Sequence, residues 1–197
     1  MEYVKVGDTD IRVSKLCVGC MSFGKAGTMH DWTLDEKQSE KLVNKALELG
    51  INFFDTANCY SLGTSEEYLG RAIRKYAKRE EVVLASKVYF NEGRLSKQAI
   101  RREIDGTLKR LGTDYLDLYI IHRFDYETPV EETMEALDSL VKDGKVRALG
   151  ASAMYGYQFY NMQMAAEKNG FTKFSAMENH YNLLYWEDER ELIHAHL

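Results

Sequence analysis

Asn52-Phe53-Phe54-Asp55-Thr56-Ala57-Asn58-Cys59-Tyr60 joins a short apolar run to an aspartate and then to small and polar residues. The run is too short for a helix and reads as a buried strand that ends at Asp55. Two later runs end the same way. Val82-Val83-Leu84-Ala85-Ser86 leads into Lys87, and Leu116-Asp117-Leu118-Tyr119-Ile120-Ile121 leads into His122. Parallel strands present their carboxyl ends at one edge of a sheet, and α/β folds keep their chemistry there. Asp55, Tyr60, Lys87 and His122 are therefore expected to share one rim, with the rest of the chain as scaffold.

On either side of that stretch the same alternation recurs. Residues 2–6 and 11–14 are β-like and flank Gly7-Asp8-Thr9-Asp10, a hairpin turn signal. Residues 2–14 read as a small hairpin lid closing the bottom of a barrel. Lys15 to Cys20 reads as the first core strand, Met21 to Gly24 as a loop, and residues 25–33 as an irregular loop over the mouth. Thr33 or Asp35 can cap the next helix, whose apolar face is expected to carry Leu42, Ala46, Leu47 and Leu49 before Gly50 ends it. Strand 52–54 then precedes helix 65–78, strand 82–86 helix 96–111, and strand 115–121 helix 130–143. Strand 146–150 precedes helix 156–168, and strand 173–177 a helix beginning near Glu187. Gly112, Gly144 and Gly170 mark helix ends, and Pro129 stands before the fourth helix, where its missing N–H costs least.

Strands alternating with helices of this length predict a parallel sheet built from right-handed βαβ units. The loop after the first strand, Gly19-Cys20-Met21-Ser22-Phe23-Gly24, lacks the G-x-G-x-x-G phosphate pattern of an open dinucleotide-binding sheet. The expected fold is a TIM-type (β/α)8 barrel, of which this chain supplies about six units plus an N-terminal β-hairpin. Residues 1–197 read as one incomplete barrel domain.

Bulk properties remove several function classes. The 197 residues are 45% hydrophobic and 29% charged, the composition of a soluble globular protein. A formal charge of −5 without basic clusters points away from nucleic acid. No apolar run reaches the roughly 20 residues that span a bilayer, and Met1-Glu2-Tyr3-Val4-Lys5 does not open a signal peptide. A cytoplasmic protein without membrane contact is expected. Cys17, Cys20 and Cys59 are odd in number, which argues against a disulfide framework. The Cys17-Val18-Gly19-Cys20 spacing lies in an apolar strand without a second pair, so buried structural cysteine is expected and no metal role.

Singly, each of the four rim residues has a structural explanation; together they make a proton-transfer site. A tyrosine near pKa 10 is a poor acid at neutral pH unless its phenolate is stabilised. A lysine held charged by an aspartate supplies that field, and a histidine can bind a substrate oxygen. Such a set protonates a carbonyl oxygen as negative charge develops on it. The carbon then needs a hydride, which implies a nicotinamide cofactor.

Gly50-Ile51-Asn52-Phe53-Phe54-Asp55-Thr56-Ala57 followed by Tyr60, Ala85-Ser86-Lys87, Leu116 to His122, and Gly144-Lys145-Val146-Arg147-Ala148-Leu149-Gly150-Ala151-Ser152 together resemble the aldo-keto reductases. The resemblance runs from the hairpin to about Arg190. It implies that Asp55, Tyr60, Lys87 and His122 form a catalytic tetrad. Tyr60 would be the general acid, its pKa lowered by Lys87, which Asp55 holds, while His122 orients the carbonyl. It also implies that Ser152 and Glu178 hold the nicotinamide carboxamide, with Tyr181 in the adjoining loop and the backbone of Gly19, Cys20 and Met21 as a further cofactor contact. The implied activity is NADPH-dependent reduction of small aldehydes and ketones to alcohols. Phe23, Trp32, Phe90 and Phe124 are expected pocket walls, favouring an apolar or aromatic carbonyl compound.

The chain departs from the family at Ala153, where asparagine is common, and at Glu178, where glutamine is usual. A glutamate accepts from a carboxamide but cannot donate to it. The resemblance also places two further strands, whose loops grip the cofactor phosphates, beyond Leu197. The chain therefore reads as C-terminally truncated relative to the family and is expected to bind NADPH weakly. Its open sheet edges are expected to draw it into a homo-oligomer or onto a complementing chain. Two other readings remain at this point: an inactive or non-catalytic nucleotide-binding member of the superfamily, and an aldolase-like barrel with Lys87 as a Schiff-base nucleophile.

Overall fold

The computed structural model describes residues 1–190. Two short antiparallel strands, β1 (Tyr3–Lys5) and β2 (Arg12–Ser14), form the hairpin. The chain then alternates: β3 (Cys17–Gly19), α1 (Glu36–Glu48), β4 (Phe53–Asp55), α2 (Thr64–Tyr76), β5 (Val83–Val88), α3 (Lys97–Leu111). It continues through β6 (Leu116–Ile121), α4 (Val130–Lys142), β7 (Val146–Ser152), α5 (Gly156–Asn169) and β8 (Phe174–Glu178). Strands β3 to β8 pair in chain order, all parallel, and curl into a half-barrel with the helices alternating between them. Among the described residues no helix is long and apolar enough to cross a membrane.

Helix ends follow their local chemistry. Asp35, not Thr33, caps α1: its carboxylate accepts from Gln38 N while Gln38 Oε1 accepts from Asp35 N. Ser96 caps α3. Gly112 and Gly170 close α3 and α5 at φ of 68° and 66°, a conformation that glycine adopts without a Cβ clash. The apolar face of α1 differs from expectation. Val43, Ala46 and Ser39 are buried, whereas Leu42 and Leu49 are 48% and 58% exposed. Positions 39, 43 and 46 follow the helical repeat toward the sheet, and Leu42 lies a full residue off it. The expected first strand also shrinks to Cys17–Gly19, with Leu16 exposed. At the far end, Glu187–Arg190 forms a single 3-10 turn; the rest of the helix expected there lies outside the described residues.

The strands sort their side chains by a period of two, which decides where the site lies. Outward-facing Phe54, Leu84, Tyr119, Ile121, Leu149 and Ala151 join the helices in the larger core. Inward-facing Phe53, Val83, Ala85, Leu118, Ile120, Ala148 and Ala176 make a second apolar layer, onto which Val6, Ile11 and Val13 of the hairpin region pack. Continuing the inward alternation leads in one step to Asp55, Lys87, His122 and Glu178, and in β7 past Gly150 to Ser152. The residue that ends each apolar stripe is thus polar, and all five stand at the carboxyl rim.

Candidate active site

Lys87 sits at the centre of the rim and is fully buried. Its ammonium donates to Asp55 Oδ1 and, at 3.1 Å, to the carbonyl of Thr56. A second carboxylate oxygen, Glu178 Oε2, lies 3.4 Å away. The ammonium is also 5.4 Å from the centroid of the Tyr60 ring. His122 meets the Tyr60 ring edge-to-face at 5.7 Å, and Phe90 packs edge-on against His122 at 5.0 Å. The four residues predicted to meet are therefore together, joined by Glu178 and Phe90.

Tyr60 is presented by a strained turn. Ser61 and Leu62 adopt left-handed backbone angles, at φ of 48° and 55°, where a non-glycine residue costs about 1–2 kcal/mol. Surrounding contacts hold that conformation. The Thr64 hydroxyl donates to Ser61 O at 2.8 Å and accepts from Lys25 N at 3.0 Å. Gly24, at φ of 138°, lies so close that a Cβ there would fall 2.3 Å from the Ser61 side chain. The loop after β3 thus clamps the turn that carries Tyr60.

The electrostatics differ from the sequence expectation in one respect. Burial pushes the Tyr60 phenol up to about 12; Lys87 pulls it down, while Asp55 and Glu178 push it further up. Lys87 lowers the phenol as expected, but the net shift is upward because desolvation and two carboxylates outweigh one ammonium. Burial also raises Asp55 to about 7 against the pull of Lys87, with Glu178 adding to the rise. Burial works against the charge on Lys87, yet Asp55 and Glu178 outweigh it and hold its proton above the usual lysine range. Burial, then Lys87 and Arg123, lower His122 to about 4, so its imidazole is neutral at pH 7. A fully buried lysine tied up in an ion pair is a poor Schiff-base nucleophile, which argues against the aldolase-like reading.

The remaining predicted residues divide. Ser152 Oγ donates to the backbone carbonyl of Glu178 at 2.9 Å, which ties the rim ends of β7 and β8 together. The Glu178 carboxylate turns to Lys87 rather than standing free. Cys20 is buried in the larger core, its N–H donating to Asp55 O and its carbonyl accepting from Ser65 Oγ. That leaves Gly19 and the exposed Met21 as accessible backbone there. Tyr181 is exposed, and its hydroxyl donates to Glu189 at 2.6 Å. Phe23 is 1% exposed and belongs to the larger core, so it forms no pocket wall; the bridge between Phe23 and Leu34 folds it inward. Trp32 is exposed and stacks on His30 at 4.4 Å, apart from the tetrad contacts. Cys17 is exposed as a residue, but its thiol faces the interior hollow and is largely desolvated there.

Two hollows border the site. One of about 360 Å³ lies in the barrel interior and touches Asp55, Glu178, Cys17 and Ile120. The other, about 790 Å³, is the larger but does not reach the tetrad; it adjoins His122 through Arg123 and Phe124, with Tyr89, Tyr126 and Tyr155 among its walls. The first meets the four residues at Asp55, and the aromatic space beside them belongs to the second. Sequence reasoning missed Tyr126 and Tyr155, which sit in loops with no periodic signal. Asn179 was missed too: its Oδ1 is a buried acceptor without a partner at the end of β8.

Comparison with known proteins gives a consistent answer. Residues 15–196 match the sequence profile of the aldo/keto reductase family. Aldo-keto reductase AMT2 of Alternaria alternata is 42% identical over 97% of this chain and 60% of its own length. Versiconal hemiacetal acetate reductase of Aspergillus parasiticus is 41% identical over 98% of this chain and 63% of its own length. Aldo-keto reductase dtxS3 of Metarhizium robertsii is 38% identical over 98% of this chain and 60% of its own length. The chain thus spans 60% to 63% of the length of these relatives.

Proposed function

The chain belongs to the aldo/keto reductase family, and on that premise we propose that its rim reduces aldehyde and ketone carbonyls to alcohols with NADPH as hydride donor. The observation that carries the reading is the buried Lys87 ammonium, bound to Asp55 and lying over the Tyr60 ring, with neutral His122 at the ring's edge. NADPH supplies the hydride that the carbonyl carbon takes up. Tyr60 donates its phenolic proton to the carbonyl oxygen as charge grows there, and Lys87 stabilises the phenolate left behind. His122 holds the carbonyl oxygen by a hydrogen bond, which a neutral imidazole can give from one nitrogen. Asp55 keeps Lys87 charged and fixed.

The rim fits the amide end of such a cofactor. Ser152 Oγ retains acceptor capacity after donating to Glu178 O, and Asn179 Oδ1 is a buried acceptor without a partner; both suit an amide N–H. Phe90 against His122 and the aromatic walls around Phe124 favour a substrate with an apolar or aromatic body.

The test is a titration of the purified chain with NADPH, and with NADH for comparison, followed by quenching of Trp32 and Trp186. Saturable but weak binding with turnover of an aromatic aldehyde is the expected result, and micromolar affinity would mean that a second chain supplies further cofactor contacts. Failure to bind either cofactor would overturn the assignment for this chain and favour the non-catalytic alternative. We also propose that β3 and β8 take a further partner. Among the described residues each pairs with a single strand and leaves a row of backbone donors and acceptors open. The expected occupant is a second copy or a complementing chain. A single monomeric species by sedimentation at micromolar concentration would reject association between copies.

A further inference from the structure

Lys87 has one ammonium and two carboxylates to share it. Asp55 Oδ1 accepts from it directly, and Glu178 Oε2 stands 3.4 Å away from the opposite end of the half-barrel sheet. The other Asp55 oxygen, Oδ2, is buried without a partner. Glu178 is half-exposed and Lys87 fully buried, so the pair spans the boundary between interior and solvent. Two like charges this close to one cation cannot both ionise as freely as either would alone. From this geometry we infer that Glu178 competes with Asp55 for Lys87 and thereby sets the pH range over which Tyr60 gives up its proton. Glu178 acts through Lys87 and Asp55 and is a positioning residue. This inference rests on the reductase reading of the rim.

Among the described residues, four charged or titratable groups are set against Glu178. Lys87 faces it from β5, Asp55 from β4, Tyr60 from the turn after β4, and the Cys17 thiol from β3. Burial, with Asp55 and Glu178, pushes Cys17 up to about 12, so the thiol is neutral and adds no charge. His122 is neutral at pH 7 for the reasons given above. The balance is therefore one cation against two carboxyl groups. While one carboxyl group keeps a proton, the set is neutral. When that proton leaves, near the value of about 7 at Asp55, the set gains a negative charge close to Tyr60. A negative neighbour disfavours the phenolate and makes Tyr60 a weaker acid. Reduction should slow as the pH rises through that range. With glutamine at 178 the set is neutral with Asp55 ionised, and the slowing limb moves to lower pH or disappears.

The experiment compares wild type with Glu178→Gln in two ways. At saturating cofactor and substrate, the wild-type kcat is expected to fall as pH rises through neutrality. The variant is expected to stay flat there and to exceed wild type at pH 8 by about threefold or more. Independently of turnover, the Asp55 carboxyl and Tyr60 phenol carbons are titrated by NMR, with Asp55→Asn and Tyr60→Phe as assignments. In Glu178→Gln both titrations are expected to move down, by about one pH unit or more at Asp55. Unchanged titrations would overturn the inference, as would superimposable pH–rate profiles in an active chain. An inactive wild type whose Asp55 and Tyr60 titrations still move would instead refute the reductase reading and leave the charge competition standing.

Discussion

Tyr60→Phe is expected to lower kcat for carbonyl reduction by about 10²- to 10⁴-fold, the contribution of a positioned general acid. The substitution removes a hydroxyl and little else. Tyr60 is held by its ring, edge-on to His122 and beneath Lys87, and phenylalanine keeps both contacts. Thermal stability and NADPH affinity should therefore stay near wild type. That separation is what makes the variant informative. Burial pushes the phenol to about 12, so it remains protonated across the working pH range and can act only by donating. The measurement is steady-state kinetics on an aromatic aldehyde beside a melting curve. Full activity in the phenylalanine variant would mean that another group, or water, protonates the oxygen.

Arg110→Ala should unfold the chain more readily than any rim substitution. Glu66, in the first turn of α2, has no solvent exposure. Its two carboxylate oxygens accept from Ser86 Oγ and Arg110 Nε, each at 2.5 Å. Arg110 comes from the last turn of α3 and also donates to Thr107 at 3.3 Å. Removing Arg110 strands a buried carboxylate with one hydroxyl for company. Breaking such a pair costs about 3–5 kcal/mol, a large part of the roughly 5–15 kcal/mol that holds a domain together. Combining it with Glu66→Gln should restore much of the loss, because the buried charge is then gone. Urea denaturation of the single and double variants gives the comparison. A loss under about 1 kcal/mol in Arg110→Ala would show that water reaches Glu66. The pair also matters to the rim: Ser86 precedes Lys87 in β5, so Glu66 anchors the strand from behind while Asp55 holds the lysine in front.

The residues at strand ends were legible because their signal is local. An apolar run that alternates sides and stops at Asp55, Lys87 or His122 carries its own orientation, since every second residue faces the same way whatever packs against it. Glycines at 112 and 170 likewise announce helix ends through a backbone angle that few other residues adopt. Strand order followed from the same regularity, since short βαβ connections place each parallel strand beside the last. Those features carry the parallel half-barrel and the placement of Asp55, Lys87 and His122 at one rim.

What the tertiary structure alone decided depends on distances between segments far apart in the chain. Phe23 looks like a mouth residue in its loop, yet the bridge to Leu34 turns it into the core. Leu42 and Leu49 look apolar enough to be buried, yet the face of α1 that meets the sheet is the one bearing Val43 and Ala46. Glu178, read as a cofactor contact, lies beside Lys87, 91 positions earlier in the chain, because β8 curls round to the same rim. The acidity of Tyr60 could not be read at all from its neighbours in sequence. It is a balance between burial, one ammonium and two carboxylates, and each of those acts through space at distances that only the folded chain sets.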